Sequence, residues 1–196
     1  MHKDCKHFSH LDGLFVGYKY SKAIELIVQD LKYHGHTQTA NTIATLIKES
    51  EQGKIFVDIV KNNIPNALFI PVPLHKRKLN SRGFNQAKLI VDELRNQILS
   101  PFDTQKDLQN IDLIIRTKNT KTQVGMNKLE RIKNLQDVFD LTSNQKIWNF
   151  VILIENPTFI LVDDIYTTGT TMEECSKVIK KHFKNSKVYG LVLARG

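Results

Sequence analysis

FILVDDIYTTGTTMEEC, residues 159–175, joins an apolar run to two adjacent aspartates and then to four threonines set around one glycine. Phe159, Ile160, Leu161 and Val162 have the short, unbroken apolar character of a strand buried on both faces. Residues 172–183, MEECSKVIKKHF, read as a helix. A strand ending at Val162 delivers Asp163 and Asp164 to the carboxyl edge of a sheet, where open α/β sheets bind ligands. The loop 166–171 then opens the helix, whose first backbone N–H groups lack partners and favour an anion. Thr167, Thr168, Thr170 and Thr171 add hydroxyl donors, and Gly169 lets the backbone approach that anion closely.

Carboxylates repel a phosphate but accept hydrogen bonds from hydroxyls, so the acid pair calls for a diol beside it. A sugar phosphate meets both demands: the 5′-phosphate in the threonine loop, the 2′- and 3′-hydroxyls on Asp163 and Asp164. A strand–turn–helix that merely caps itself needs one such side chain, not four around a glycine. Neither the G-x-x-x-x-G-K-[ST] phosphate loop nor the G-x-G-x-x-G dinucleotide fingerprint occurs in the chain.

Outward from this stretch, strand and helix patterns alternate. Residues 21–35, SKAIELIVQDLKYHG, place Ala23, Ile24, Ile27, Val28 and Leu31 on one helical face, with Ser21 as N-cap and Gly35 as stop. A second helix is expected over residues 39–50. ALFIPVP, residues 67–73, predicts a buried strand that hands on to a basic loop, LHKRKLNSRGFNQ. A helix to Ile98 follows, with Ala87, Ile90, Val91 and Leu94 facing the core. DLIIRTK (112–118) and KVYGLVLA (187–194) predict further strands. Residues 141–156 read as a hairpin or an insertion packed on the core. The whole predicts an α/β domain around a mostly parallel sheet flanked by helices.

The 196 residues suffice for one domain with a sizeable core. A net charge of +8 fits a polyanionic ligand, either a phosphorylated small molecule or nucleic acid. Two distant cysteines, Cys5 and Cys175, argue against a disulfide framework and cannot by themselves make a four-thiolate zinc site. The N-terminal residues lack the apolar run of a signal peptide, and FVILIENPTFILV is broken by Glu155, Asn156 and Pro157. No membrane insertion and a cytoplasmic location are therefore expected. The apolar WNFVILI, residues 148–154, suits a homodimer contact, and Trp148 is expected to serve packing.

At ILVDDIYTTGTT the chain resembles the phosphoribosyl-pyrophosphate (PRPP) motif of type I phosphoribosyltransferases. LKYHG, PVPLHKRKLNSRGFNQA, RTKNTKTQVGMNKLERIKNLQDVF and LVLARG together resemble the ComF family of competence-associated, phosphoribosyltransferase-like proteins, in order from about Leu11 onward. The resemblance implies a type I phosphoribosyltransferase fold, with a small N-terminal helical hood over residues 1–60 and the core over 61–196. It implies PRPP binding, with Mg²⁺ carried mainly on the PRPP oxygens. The implied reaction is transfer of a phosphoribosyl group to an unidentified nucleophile with release of pyrophosphate. The alternative is a non-catalytic PRPP sensor or single-stranded-DNA-binding factor in natural competence and DNA uptake.

On this resemblance Asp163 and Asp164 are the catalytic pair, and Tyr166, Thr167, Thr168, Gly169, Thr170 and Thr171 bind the phosphate. Residues 116–131 match a loop that closes over PRPP, so Arg116, Lys118 and Arg131 become pyrophosphate partners and Gln123 an orienting group. Arg77 and Arg82 would meet the pyrophosphate from the other side. No metal ligand is directly assigned. Lys177, Lys180, Lys181 and Lys184 read as solvated charges on the last helix, and Lys76, Lys78 and Lys121 are balanced between surface charge and site. His34 and His36 read as cap and solvent contacts rather than a metal site. Many ComF proteins begin with a zinc ribbon of two C-x-x-C pairs. Here the ribbon is absent or truncated: MHKDCKHF offers Cys5 as the lone candidate remnant, with His2, His7 and His10 as weak candidate ligands.

Overall fold

The computed structural model describes residues 10–63, 66–99, 111–118, 135 and 137–196. In chain order they form β1 (Gly13–Lys19), α1 (Lys22–His34), α2 (Thr37–Glu49), α3 (Glu51–Asn62), β2 (Ala67–Pro71), α4 (Lys76–Arg82) and α5 (Gln86–Ile98). Then come β3 (Ile114–Arg116), β4 (Phe139–Leu141), α6 (Gln145–Val151), β5 (Thr158–Tyr166), α7 (Thr170–His182) and β6 (Lys187–Arg195).

Four strands make a parallel sheet in the order β1-β6-β5-β2, and β3 pairs antiparallel with β4 in a separate ribbon. The strand alternation of two splits the core cleanly. Phe69 of β2, Ile160 and Val162 of β5, and Leu191 and Leu193 of β6 face α1, α2, α3 and α5. Leu68, Ile70, Phe159, Leu161 and Val188 face the other way, toward α6, α7 and the β3–β4 ribbon. Both faces are covered, which is why β5 carries an uninterrupted apolar run from Phe159 to Val162.

The α/β expectation holds, with differences at three places and, at a fourth, one of two open alternatives met. β1 is an added strand: the N-terminal segment, expected to be helical, contributes an edge strand to the main sheet as well as three helices. The basic loop after β2 contains a helix, α4, held by its ends: His75 Nδ1 accepts from Arg77 N–H, and Gly83 closes it in the left-handed region. The strand predicted at 112–118 is only three residues long and belongs to the ribbon. Residues 141–156 hold the end of β4 and helix α6, where Trp148 stacks on Phe183 and donates its indole N–H to Thr142 C=O at 2.7 Å.

Lys180 departs from the solvated reading. It pairs with Asp12 at 2.7 Å and donates to Ser186 C=O, tying α7 to the residues before β1. His10 meets Glu173 of α7 at 2.6 Å. Ile152 and Leu153, from the proposed dimer stretch, are 61% and 81% exposed. No described helix is long and apolar enough to cross a membrane.

Candidate functional site

β5 does not stop at Val162. It runs on through Tyr166, because β6 keeps pairing with it to Arg195. What stops is β2: its last partner is Pro71 with Val162, and Val72 N–H still donates to Val162 C=O at 2.9 Å. Asp163 and Asp164 therefore sit within a strand, just past the point where one neighbour is withdrawn.

Adjacent strand residues point to opposite faces, so the two acids do not stand side by side. Asp164 follows Ile160 and Val162 toward α1, where it is buried and paired with Lys32. Asp163 follows Phe159 and Leu161 toward the ribbon, where Arg116 of β3 and Cys175 of α7 interact with it electrostatically. Each carboxylate also accepts from the next backbone N–H, Asp164 N and Ile165 N, at 2.9 Å. Burial, and then the charge of Asp164, hold the Asp163 carboxyl well above the usual range, while Lys32 pulls it down.

The acids line one cavity of about 540 Å³, shared with Lys32, Lys78, Arg116, Thr167 and Thr171. Its cations crowd one another. Desolvation lowers the Lys78 ammonium, and the charges of Arg116, Arg82 and Lys32 lower it further. Desolvation also lowers Arg116, against the opposing pull of Cys175 and Asp163. A rim of positive potential over a pair of acids suits a ligand that is anionic at one end and hydroxyl-rich at the other.

The threonine loop opens α7 as the sequence predicts. Gly169 adopts φ 79°, which a side chain would strain, and no side chain caps the helix. Thr168 and Thr170 hydroxyls lie 3.0 Å apart and hydrogen-bond to each other, whereas Thr167 and Thr171 line the cavity. Tyr166 is turned away from it: the ring is buried with Met172 and Val192, beneath the Arg195 guanidinium.

Arg77 is exposed on α4 and does not line the cavity, and Lys118 is exposed beyond β3. Arg82 donates to Gln86 Oε1 at 2.6 Å, and Gln86 in turn lines the cavity. Gln123, Arg131, Lys121, His2, Cys5 and His7 lie outside the described residues.

Sequence reading missed Lys32, Tyr33 and Tyr20. All three line the cavity, and Tyr20 and Tyr33 are 41% and 77% exposed. The signal was present in LKYHG, whose polar residues sit on the far side of an amphipathic helix. Only the fold shows that this side faces β5. Lys32→Met leaves Asp164 buried without its cation, and should cost about 1–3 kcal/mol. A lower urea midpoint at an unchanged m-value would check this.

Comparison with known proteins gives consistent relatives. The chain is 29% identical over 177 residues to competence protein F of Haemophilus influenzae, covering 89% of this chain and 70% of that one. It is 26% identical to competence protein ComFC of Bacillus subtilis, over 91% of this chain and 62% of that protein. It is 23% identical to DNA utilization protein YhgH of Escherichia coli O157:H7, over 83% of this chain and 63% of that protein. It thus spans less than two thirds of the last two relatives. No family model matches it. The motif order read from the sequence and these relatives agree, and together they support membership of the ComF family of competence-associated proteins.

Proposed function

We propose that this chain binds PRPP in the cavity at the carboxyl edge of the sheet and has a type I phosphoribosyltransferase fold. The observation that carries the proposal is the shared cavity. One enclosure holds two aspartates, two loop threonines at an uncapped helix start, and a crowded set of cations. The 5′-phosphate would lie on the N–H groups and hydroxyls of the threonine loop. The pyrophosphate would lie among Lys32, Lys78 and Arg116, whose mutual repulsion it relieves. The ribose hydroxyls would reach the aspartates.

Mg²⁺ fits this site as a passenger on the ligand. Asp164 is engaged by Lys32 and Asp163 is held toward its neutral form, so the protein offers no ready carboxylate cage. Carried on the pyrophosphate oxygens, the ion would neutralise charge on the leaving group.

The reaction such a site performs breaks the ribose C1–O bond, with pyrophosphate keeping the electron pair. A new bond forms from C1 to the acceptor, which gives up a proton. Positive charge builds on the sugar ring, and the Asp164 carboxylate, joined by Asp163 as that charge draws it toward its ionised form, would lower the energy of that state. The chain's side chains thereby hold the sugar and steady its charge, and the acceptor approaches from the side lined by Tyr20 and Tyr33.

Calorimetric titration of PRPP with Mg²⁺ tests this. Micromolar binding is expected in the wild type, and Lys78→Ala should weaken it about tenfold, the loss of ~1.5 kcal/mol from one charged contact. No binding by folded protein would sink the reading.

A second reading is favoured by charge placement and by the relatives. Lys76 and Arg77 are exposed outside the cavity, the net charge is +8, and the relatives' names place them in competence and DNA utilization. This reading assigns the chain a role in DNA uptake as a PRPP-responsive factor that contacts single strands. Its mark is affinity for an oligonucleotide that falls linearly with the logarithm of salt concentration.

A further inference from the structure

Away from the cavity, on the turn between α1 and α2, three potential ligands converge. Asp30 and His34 are one helical turn apart on α1. Gly35 then takes φ 65° as the helix cap, and this sharp left-handed turn brings His36 back to the same side. The two imidazoles stack, with centroids 5.3 Å apart and planes inclined by 11°. His34 Nδ1 lies 3.2 Å from Asp30 Oδ1, and His36 Nδ1 lies 3.4 Å from Asp30 Oδ2. One ligand atom from each of the three residues lies within 4.8 Å of the others, and among the described residues this is the one grouping of its kind.

We propose that Asp30, His34 and His36 form a three-ligand site for a divalent transition-metal ion of the zinc type, with water completing its shell. Neighbouring ligand atoms around a tetrahedral zinc ion lie about 3.3–3.5 Å apart, given bond lengths of ~2.0–2.2 Å. Each histidine stands at that edge from a different oxygen of Asp30, so whichever oxygen ligates already has one imidazole in place and the other has to turn toward it. Both imidazoles are 60% exposed in their side chains, so they can turn inward without disturbing the core. Two nitrogens and one carboxylate oxygen select zinc, nickel or cobalt over magnesium or calcium.

The aspartate also has an orienting partner. Thr39, in the first turn of α2, donates its hydroxyl to Asp30 Oδ2. A hydrogen bond of this kind behind a ligand fixes its direction and tunes affinity. An ion bound here clasps the end of α1 to the start of α2. The same end of α1 carries Lys32 and Tyr33 into the cavity, so the ion braces the helix that supplies them.

The test uses the full chain without an affinity tag, titrated with Co²⁺ by visible absorption and with Zn²⁺ by calorimetry. One equivalent at micromolar affinity is expected, with cobalt d–d bands and no thiolate charge-transfer band. The same behaviour is expected of Cys5→Ser. Binding should fall at least about 100-fold in His34→Ala/His36→Ala. In Thr39→Val it should fall about 10–100-fold and recover in Thr39→Ser. Circular dichroism of each variant establishes that it is folded. The proposal is overturned if the double variant binds as the wild type does, if Cys5→Ser abolishes the signal, or if folded wild type takes up neither ion.

Discussion

Asp163→Asn is expected to raise the melting temperature of the ligand-free protein by roughly 2–4 °C while weakening PRPP binding about 10–100-fold. The two effects have one cause. Burial and the adjacent Asp164 push the Asp163 carboxyl up, so its charged form is disfavoured in the folded chain. Asparagine keeps the shape and has no charge to desolvate; a relief of about 1 kcal/mol gives that temperature shift in a chain this size. The same amide loses the carboxylate that a bound ligand carrying Mg²⁺ would draw into its charged form and that a ribose hydroxyl would then meet, worth about 1.5–3 kcal/mol.

The pH dependence follows from the direction of the shift. A carboxyl raised in the folded state holds a proton that the unfolded chain releases. Its contribution is therefore most favourable below the ordinary aspartate range and is lost as pH climbs toward the raised value. Wild type and variant should converge in melting temperature as pH falls into that range and diverge as pH rises from it. Curves that stay parallel, or a variant that melts lower throughout, would mean that Asp163 is not held under strain.

Gly53→Ala should be among the most damaging single-methyl additions in the chain, costing about 3–5 kcal/mol and roughly 10 °C. Ser50 is both the end of α2 and the N-cap of α3. Its hydroxyl donates to Ile47 C=O at 2.7 Å and accepts from Gly53 N–H at 3.0 Å. A Cβ on Gly53 would lie 1.7 Å from Ile47 O and 2.8 Å from Ser50 Oγ. Backbone must then move, and both the close helix approach and the cap are lost. Ser50→Ala removes only the cap and should cost about 1 kcal/mol. Chemical denaturation of the two variants side by side decides the point: equal losses would refute the steric account.

How much of this was legible in the sequence depended on whether the deciding partner was local. α1 was readable at both ends because Ser21 and Gly35 are local signals, and the structure shows Ser21 Oγ accepting from Ile24 N–H and Gly35 N–H donating to Leu31 C=O. The inward face of α5 was readable for the same reason: Ala87, Ile90, Val91 and Leu94 repeat at helical spacing and are fully buried. β1 was not readable, since GLFVGYK carries two glycines and is a strand only because β6 lies beside it. Gly17 shows how close that neighbour comes, for its Cβ would be 2.7 Å from Leu193 O. α4 has no apolar stripe to betray it and depends on its caps.

The candidate site divides in the same way. The acids and threonines stood out by residue type. Their division between the two faces of β5 did not, because charge suggested that the strand had ended. Lys32 could be recognised only through Asp164, which is 132 positions away in the chain.

The edge strand β1 has a consequence for synthesis. Among the described residues, Gly13–Lys19 has no partner in the main sheet other than β6, which begins at Lys187. On a ribosome working at about 5–20 residues per second, that strand would wait roughly 10–35 seconds for its neighbour. Through that interval its backbone hydrogen-bonding groups have no strand to pair with, and β5 has only β2 until β6 arrives. The nascent chain must therefore keep an unfinished sheet from pairing with another chain's, and α1, α2 and α3, made just after β1, are the segments placed to shelter it.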